Sequence, residues 1–448
     1  MGRAVHYPAL EQRVLGQKKL QPGLYGDVDF TLRPHRLATQ PEDVSSLPAW
    51  VADREPILRD DRVIELMSTA TMLGDTVADP YATLMSSHSF KGLIDMLQLA
   101  CSDGLDAVPA PPPELVTFIE SMEREPDWLD MELVRRGQRT ERIPAAFIAP
   151  FATRGAFVAT FMNTYAALPM ALTGALGGRK ASRRVNETSA YFTTTVMPGG
   201  LERFAPGFHA TAMVRLMHSM VRYNALKRSE RWDLGVYGIP VPQVDQMPAG
   251  LLSVYLLSVR ALRSGRTEWN DRERAVAELS RYRCYLLGLP EELLPATAEE
   301  TIHLMHARAA TLRDDFDDAT CGELVRATMA AYLRADDTPF DRAAEAVERS
   351  YGKAFFVRSF AGGDRKKAKQ MGVSFGATDV ARIAVTAPFI VGRAVAVTAA
   401  SRVPGLKTLT DNYAIRMLKK RLATYGAPEF KTDAAQYKPV AKPVLKAA

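Results

Sequence analysis

Apolar residues recur at helical spacing along most of the chain after residue 60, and runs that alternate apolar with polar residues over the length of a strand are scarce. Spacings of three and four residues keep apolar side chains on one face of a helix. The pattern predicts an all-α fold with helices over residues 63–73, 82–101, 113–123, 129–138, 249–264, 268–287, 298–313, 322–334, 343–350 and 378–401. A further helix is predicted after the Pro206-Gly207 break.

Two apolar segments raise the question of a membrane. The uncharged run between Arg154 and Arg179 is long enough to span a bilayer, but it contains polar residues and glycines. We expect it to be a buried core helix that is broken near Pro169. Residues 381–393 are too short between their arginines to span a bilayer; such a segment can lie on a membrane, but we expect burial against the domain.

The two ends of the chain differ from its middle. Residues 1–55 are rich in proline, arginine and aspartate and only weakly periodic, which predicts an extended N-terminal arm. Residues 56–405 are expected to form one large helical domain. Residues 406–448 form a lysine-rich C-terminal segment, whose end is expected to be loosely ordered.

Composition narrows the class of protein. The chain has 448 residues, of which 47% are hydrophobic and 24% charged, as in ordinary soluble globular proteins. Its net charge of +6 is modest and its charges are interleaved, so we expect no nucleic-acid partner. Cys101, Cys284 and Cys321 form no Cys-x-x-Cys pair, and residues 1–29 contain no secretion signal. A cytoplasmic location is therefore expected.

The helix after residue 206 carries the candidate chemistry. Arg215, His218 and Arg222 stand at i, i+3 and i+7 and therefore project from one side of the helix, which is otherwise rich in methionine. An imidazole between two guanidinium groups on an apolar face suits a flat apolar cofactor with anionic edges, such as heme. From spacing alone, a buried histidine bonded to a neighbour is the more common outcome.

Three motifs together resemble a known family. Arg215-x-x-His218-x-x-x-Arg222 follows Arg184-Val-Asn-Glu-Thr188 and precedes Tyr237-Gly-Ile-Pro-Val-Pro-Gln-Val-Asp245. In this order they resemble the core signature of the latex-clearing proteins (rubber oxygenases) and the mycophenolic-acid-pathway oxygenases, although Tyr237 and Pro242 depart from it. The resemblance implies a heme b-dependent oxygenase with His218 as the proximal iron ligand. Arg215 and Arg222 would bind the heme propionates or fix the ligand helix.

The resemblance also assigns the opposite side of the heme. Arg184 and Thr188 stand at i and i+4, and the family motif puts them on the distal side. There Thr188 would bond dioxygen or water, and Arg184 would anchor a propionate or a carboxylate. Glu187 stands where rubber oxygenases have a lysine that can cap the iron. It would act as a proton shuttle or pair with an arginine, and the sequence favours neither role.

A second departure bears on the reaction. Rubber oxygenases have a catalytic glutamate upstream of this motif, in the stretch that corresponds to residues 155–178, where this chain has no carboxylate. Cleavage of polyisoprene is therefore in doubt. Glu187 would take over as the base, or the reaction would be hydroxylation or cleavage of a smaller terpenoid or lipid alkene.

The resulting hypothesis is an oxygenase that uses dioxygen and an apolar isoprenoid, terpenoid or lipid substrate. An electron donor and a peripheral membrane contact are left open, and neither is predicted. The alternatives are a heme-binding sensor or carrier without turnover, and a helical interaction protein that has lost the cofactor. A metal site at His303 and His306 is not favoured, because the chain has no second Glu-x-x-His unit of the kind that di-iron bundles need.

Overall fold

The computed structural model describes residues 5–48, 50–51, 53–173 and 179–425. Within these ranges every regular element is a helix, and the only extended pairing is two isolated bridges, from Leu37 to Leu312 and from Ser45 to Arg313. The all-α prediction is confirmed.

Twenty-one α-helices follow one another within the described ranges. Those before residue 200 are α1 (Pro8–Leu20), α2 (Pro22–Tyr25), α3 (Glu55–Arg59), α4 (Asp61–Thr71), α5 (Ala78–Thr83), α6 (Phe90–Ser102), α7 (Pro113–Glu123), α8 (Met131–Phe147), α9 (Ala149–Ala159), α10 (Thr164–Leu172) and α11 (Arg179–Thr195). Those after it are α12 (Pro206–Arg228), α13 (Leu234–Tyr237), α14 (Gln243–Arg263), α15 (Asp271–Leu286), α16 (Ala298–Thr311), α17 (Glu323–Ala330), α18 (Pro339–Ser359), α19 (Arg365–Gln370), α20 (Ala377–Ala400) and α21 (Lys407–Tyr425). Single turns of 3₁₀ helix lie at Leu84–Ser86, Leu105–Ala107, Glu291–Leu293 and Pro404–Leu406, and a π-helical turn lies at Asp318–Gly322.

Side-chain caps explain where several helices begin. Asp130 accepts hydrogen bonds from the N–H groups of Glu132 and Leu133 at the start of α8. Asn270 and Glu273 form a capping box that begins α15. Such caps satisfy N–H groups that have no partner inside the helix, so the local sequence fixes these boundaries.

Residues 8–25 differ from the predicted extended arm. They form α1 and α2, and Leu10, Val14 and Tyr25 are buried in the main core. The weak periodicity of this segment did not reveal those three buried positions. Residues 8–25 are thus helical and packed, and they reach the neighbourhood of the candidate site.

The uncharged segment before Arg179 breaks at another point than predicted. α9 and α10 are separated by residues 160–163 and bent by 100° from each other, whereas Pro169 lies inside α10. Asn163 explains the bend, because its side chain caps α10 through the N–H of Tyr165 and also donates to the Arg313 carbonyl.

α20 is exposed, so the expected burial of this segment is wrong. Only Asp379 and Ala394 are buried along its 24 residues. By length and composition α20 is able to cross a membrane, and the bent pair α9 and α10 passes the same test if counted as one span.

The main core joins both ends of the described chain. It includes Leu10 and Val14 of α1 and Ala414 and Leu418 of α21, as well as most of the central helices. α12 runs through this core and has more buried than accessible residues. The helix that carries His218 is therefore packed against the fold over most of its surface. The predicted loose end of the lysine-rich tail lies outside the described residues.

Candidate active site

His218 lies in α12, which begins at Pro206 close to the predicted break. The side chains of Met213, Leu216 and Met217 around it are buried. The Nδ1 atom of His218 lies 2.8 Å from Oε1 of Gln246, in the first turn of α14. Two residues that are 28 positions apart in sequence, on different helices, therefore meet at this imidazole.

A chain of side-chain amides, which we call the amide relay, determines the tautomer of His218. The relay starts at the Gly74 carbonyl, which can only accept, and which receives a hydrogen bond from Nε2 of Gln243 at 3.2 Å. Oε1 of Gln243 therefore faces Nε2 of Gln246, at 2.8 Å. Oε1 of Gln246 is then the acceptor, so Nδ1 of His218 carries the proton. The lone pair of Nε2 is left to bind another group.

Burial keeps this imidazole neutral. Desolvation lowers the pKa of His218 to about 4, the Gln246 hydrogen bond opposes the shift, and the neighbouring guanidinium groups of Arg222 and Arg184 add to it. His218 as a whole residue is half-buried. Nε2 has no hydrogen-bonding partner among the described residues. A neutral imidazole with one oriented and one available nitrogen is the form that ligates metals.

Arg215 is fixed by a buried aspartate. Its Nε and Nη2 atoms donate to the two oxygens of Asp75 at 2.6 and 2.9 Å. Asp75 also accepts from the N–H groups of Val77 and Ala78 at the start of α5. Burial alone would raise the pKa of Asp75, but the Arg215 guanidinium outweighs it and the pKa is lowered. The charged pair ties α12 to the loop before α5.

Arg222, two turns further along the same side of α12, is fixed in the same way. It forms a fully buried ion pair with Asp79, and its Nε and Nη2 donate to the carbonyls of Pro240 and Val241 at 3.0 and 2.7 Å. Tyr25 of α2 donates to Asp79 at 2.5 Å. Val241 has a φ of +48°, which is strained for a β-branched residue. This conformation is held where its carbonyl accepts from Arg222.

Both flanking arginines are thus engaged with protein groups. Of the two roles predicted from the resemblance, these contacts favour fixing the ligand helix. Direct contact of Arg215 or Arg222 with a propionate stays a prediction.

Close approach of the backbone explains two glycines at this network. A Cβ on Gly74 would lie 2.2 Å from the Tyr25 hydroxyl and 2.7 Å from Oδ2 of Asp79. A Cβ on Gly288 would lie 2.7 Å from Nε of Arg215, and its φ of +89° independently favours glycine. The two buried ion pairs leave no room for a side chain at either position.

α11 presents Arg184 and Thr188 toward α12. The charge of Arg184 acts on His218, the hydroxyl of Tyr191 interacts with Thr211, and a Cβ on Gly207 would lie 3.0 Å from the Cα of Thr195. These three pairs run in opposite directions along the two helices, which are therefore antiparallel. Thr188 lies between Arg184 and Tyr191 on the same stripe, so it also faces α12. Arg184 is thus placed where its charge acts on His218, and contact of Thr188 with the site stays a prediction.

Glu187 is buried between two arginines. Nε of Arg183 donates to it at 2.8 Å, and Nη1 of Arg184 lies 3.5 Å from its other oxygen. Burial raises the pKa of Glu187, while both arginines oppose the shift. The positive charge of Arg184 acts on both Glu187 and His218, and it lowers the pKa of each. A carboxyl group with a raised pKa is suited to hold and release a proton.

The other histidines do not form a comparable site. Nε2 of His306 lies 3.0 Å from the Tyr255 hydroxyl and its ring stacks edge-on with Trp50, while His303 is exposed. Across the described residues, no group of three or more histidine, cysteine, aspartate or glutamate side chains is arranged to hold a metal ion. A single imidazole that ligates a cofactor iron would not appear as such a group.

Several residues of the site escaped sequence reasoning. Gln243 and Gln246 lie within or beside the family segment, so that segment could have suggested them. Asp75 and Asp79 are about 140 residues from their arginines and belong to no recognised motif. Only the folded structure brings these carboxylates to α12.

Comparison with known proteins identifies relatives of the chain. The profile of the family described as ER-bound oxygenase mpaB/B'/Rubber oxygenase, catalytic domain, matches residues 147–391. Among solved structures, the fold is similar to that of latex clearing protein LCP in the closed state, with a TM-score of 0.54 and 15% sequence identity over 78% of this chain and 91% of that chain. At that identity the likeness concerns the fold alone. No curated protein matches the sequence.

Proposed function

The chain belongs to the family of MpaB and rubber oxygenase catalytic domains, and from this premise we propose that it is a heme b-dependent oxygenase. It acts with dioxygen on an apolar isoprenoid, terpenoid or lipid substrate, and His218 is the proximal ligand of the iron. The observation that carries the proposal is the available Nε2 atom of His218, oriented by the amide relay.

The donor set near His218 fits a heme. Neutral imidazole is a common axial ligand, and its other nitrogen is usually held by an acceptor such as Gln246. The buried methionine and leucine side chains around it make the surroundings of His218 apolar, as a macrocycle requires. A propionate would share Arg215, Arg222 or Arg184 with the carboxylate that each of them already binds.

The chain's own residues prepare the reaction in three ways. When bound, heme supplies the iron at which dioxygen is activated. His218 stays neutral at physiological pH because desolvation lowers its pKa to about 4. Thr188 has a hydroxyl that would donate a hydrogen bond to dioxygen or water. The apolar surroundings of α12 exclude water and favour an apolar substrate.

Glu187 is the candidate proton donor and acceptor. Its carboxyl group is buried, and the pKa is raised by that burial. Arg184 lies next to Glu187, and its charge also acts on His218. A proton held on Glu187 would therefore be near the heme pocket. This role would replace the glutamate that rubber oxygenases have upstream.

A carrier or sensor without turnover is the second candidate. It is favoured by the lack of any carboxylate between Arg154 and Arg179, where the family base would stand. Such a protein would use the same ligand and the same apolar surroundings, but it would release dioxygen unchanged.

Dioxygen uptake by the heme-loaded protein separates the two candidates. The substrates would be polyisoprene latex, squalene, cyclic terpenes and unsaturated fatty acids, each tested with and without a chemical reductant. The oxygenase predicts uptake coupled to an oxygenated product, identified by mass spectrometry, and no product with His218→Ala. A stable dioxygen complex with no product from any substrate would favour the carrier.

A further inference from the structure

Positive charge is concentrated at the C-terminal end of the sequence. Residues 365–448 contain 16 lysine and arginine residues and 4 aspartate and glutamate residues, whereas residues 1–364 contain 41 and 47. The net charge of +6 therefore divides into −6 for the first 364 residues and +12 for the last 84. An imbalance of this size within one chain points to an anionic partner for the basic end.

The outer face of α20 lies in this basic segment. Along it, apolar and small residues follow one another at helical spacing without a charge: Ala381, Val385, Pro388, Phe389, Gly392 and Val395. Val385 is 70% exposed, Phe389 77% and Val395 60%. Large apolar side chains in such a contiguous row are uncommon on a soluble surface and mark an interaction site.

The inner face of α20 is held against the domain by polar contacts. Asp379 accepts from the Ser350 hydroxyl at 2.8 Å and from Nζ of Lys353 at 3.2 Å. The Tyr351 hydroxyl lies 3.2 Å from Oγ1 of Thr386. Further along, the Arg393 guanidinium packs over the Tyr413 ring. The helix is thus attached lengthwise, with its apolar side outward.

A cleft of about 450 Å³ lies beside the outer face, between α20 and the end of α8. Ile143, Ile148 and Val391 give it an apolar lining, and the exposed residues Arg272 and Arg402 stand at the same cleft. Apolar walls next to guanidinium groups suit an amphiphile with an anionic head, which is what an acidic phospholipid offers.

We propose that α20 and the adjoining basic residues dock this protein on the surface of a membrane that contains anionic lipid. The helix lies in the plane of the interface, with Val385, Phe389 and Val395 inserted among the lipids. Arg272, Arg402 and the exposed lysines of α21, which are Lys407, Lys419 and Lys420, contact the headgroups. Nothing in this proposal depends on the heme.

The charge pattern and the attachment of α20 select this occupant. An apolar partner protein or a second copy of the chain would match the helix but would leave the +12 segment without a counterpart. A membrane-spanning helix would have to release Asp379 and Arg393 from their partners and bury both charges in hydrocarbon. An in-plane helix keeps every one of these contacts.

A fluorophore on α20 tests the proposal in the full-length protein. The three native cysteines are buried, so a cysteine introduced as Phe389→Cys can be labelled selectively with a polarity-sensitive dye. Phe340→Cys provides the matched control, because Phe340 is equally exposed at 77% but lies in the acidic part of the chain. Vesicles of phosphatidylcholine alone are compared with vesicles that also contain phosphatidylglycerol.

We expect a blue shift at position 389 with anionic vesicles, a much smaller one with neutral vesicles, and none at position 340. Added salt should weaken binding, because it screens the headgroup charges.

Co-sedimentation of unlabelled protein with the anionic vesicles gives a second measurement. The double variant Val385→Gln with Phe389→Gln should lower partition about tenfold or more, since two inserted apolar side chains are lost. Phe340→Gln should leave partition unchanged.

Three outcomes would overturn the proposal. A dye at position 389 that is shielded without vesicles at every protein concentration would mean that the chain itself covers α20. Shielding that increases with protein concentration would mean a second copy. A dye that stays exposed with both vesicle types, while the double variant sediments like the wild type, would exclude the membrane.

Discussion

Oε1 of Gln246 lies 2.8 Å from Nδ1 of His218, and this single hydrogen bond decides which imidazole nitrogen is available. Since Gln246 itself donates to Gln243, its oxygen cannot turn away without breaking the relay to Gly74. The candidate ligand is therefore oriented by α14 and by the loop before α5, which are separate in sequence from the helix that carries it.

Substituting Gln246 tests whether the amide relay orients the ligand. Gln246→Leu removes the acceptor at Nδ1 and should weaken heme affinity about 10- to 100-fold, the usual effect of losing such a partner. Titration of the heme-free protein with hemin measures the affinity. Gln246→Glu keeps an acceptor at the same position and should stay closer to the wild type. Equal affinities for all three proteins would exclude the relay from heme binding.

Arg222→Met tests whether the buried ion pair fixes α12. The change leaves the carboxylate of Asp79 buried without its counter-charge, which should lower the free energy of unfolding by about 3–5 kcal/mol. Urea denaturation of the heme-free protein measures this loss. Arg59→Met is the matched control, because the exposed Arg59–Glu55 pair should contribute less than about 1 kcal/mol. Similar losses in the two variants would mean that Arg222 has no special role.

Gly74→Ala tests the close packing around Asp79. The added Cβ would meet the Tyr25 hydroxyl at 2.2 Å and force apart the contacts of Asp79, so we expect a loss of about 1–3 kcal/mol in unfolding free energy. Gly16→Ala adds the same methyl group in the middle of α1, where no atom lies within 4 Å. That variant should gain about 0.5–1 kcal/mol from helix propensity. Stability gained by both variants would contradict the packing argument.

Glu187→Gln distinguishes the two roles left open for this residue. As a proton shuttle, Glu187 should be needed for turnover, and the variant should be slower by about 10²–10⁴ in kcat while it keeps the heme spectrum of the wild type. As a partner of Arg183 and Arg184 alone, it should affect stability but leave kcat nearly unchanged. Single-turnover kinetics with the substrate found in the uptake experiments would decide between them.

The sequence predicted the helices well where burial imposes a period of 3.6 residues. Residues 113–123 are helical as predicted, and α20 lies within one residue of the predicted segment at each end. The burial of that segment was predicted wrongly. An apolar composition does not distinguish a helix in the core from an apolar helix on the surface. Only the neighbours of Phe389 and Val385 in the fold distinguish the two cases.

The site shows a similar division. The spacing of Arg215, His218 and Arg222 predicted one shared helix face, since that depends only on local geometry. It did not reveal that Asp75 and Asp79 engage the two arginines, because pairing across 140 residues depends on how α5 packs on α12. The break near Asn163 was missed for a related reason. Its cap is local, but the bond from Asn163 to the Arg313 carbonyl joins distant segments.

The ultraviolet-visible spectrum of the purified protein, as isolated and after dithionite with carbon monoxide, tests the central claim most directly. It should be recorded for the wild type, for His218→Ala, and for His209→Ala as a control histidine on the same helix. We predict a Soret band in the wild type and in His209→Ala that is lost or strongly shifted in His218→Ala. A wild-type protein without a Soret band after reconstitution with hemin, or an unchanged band in His218→Ala, would contradict the assignment.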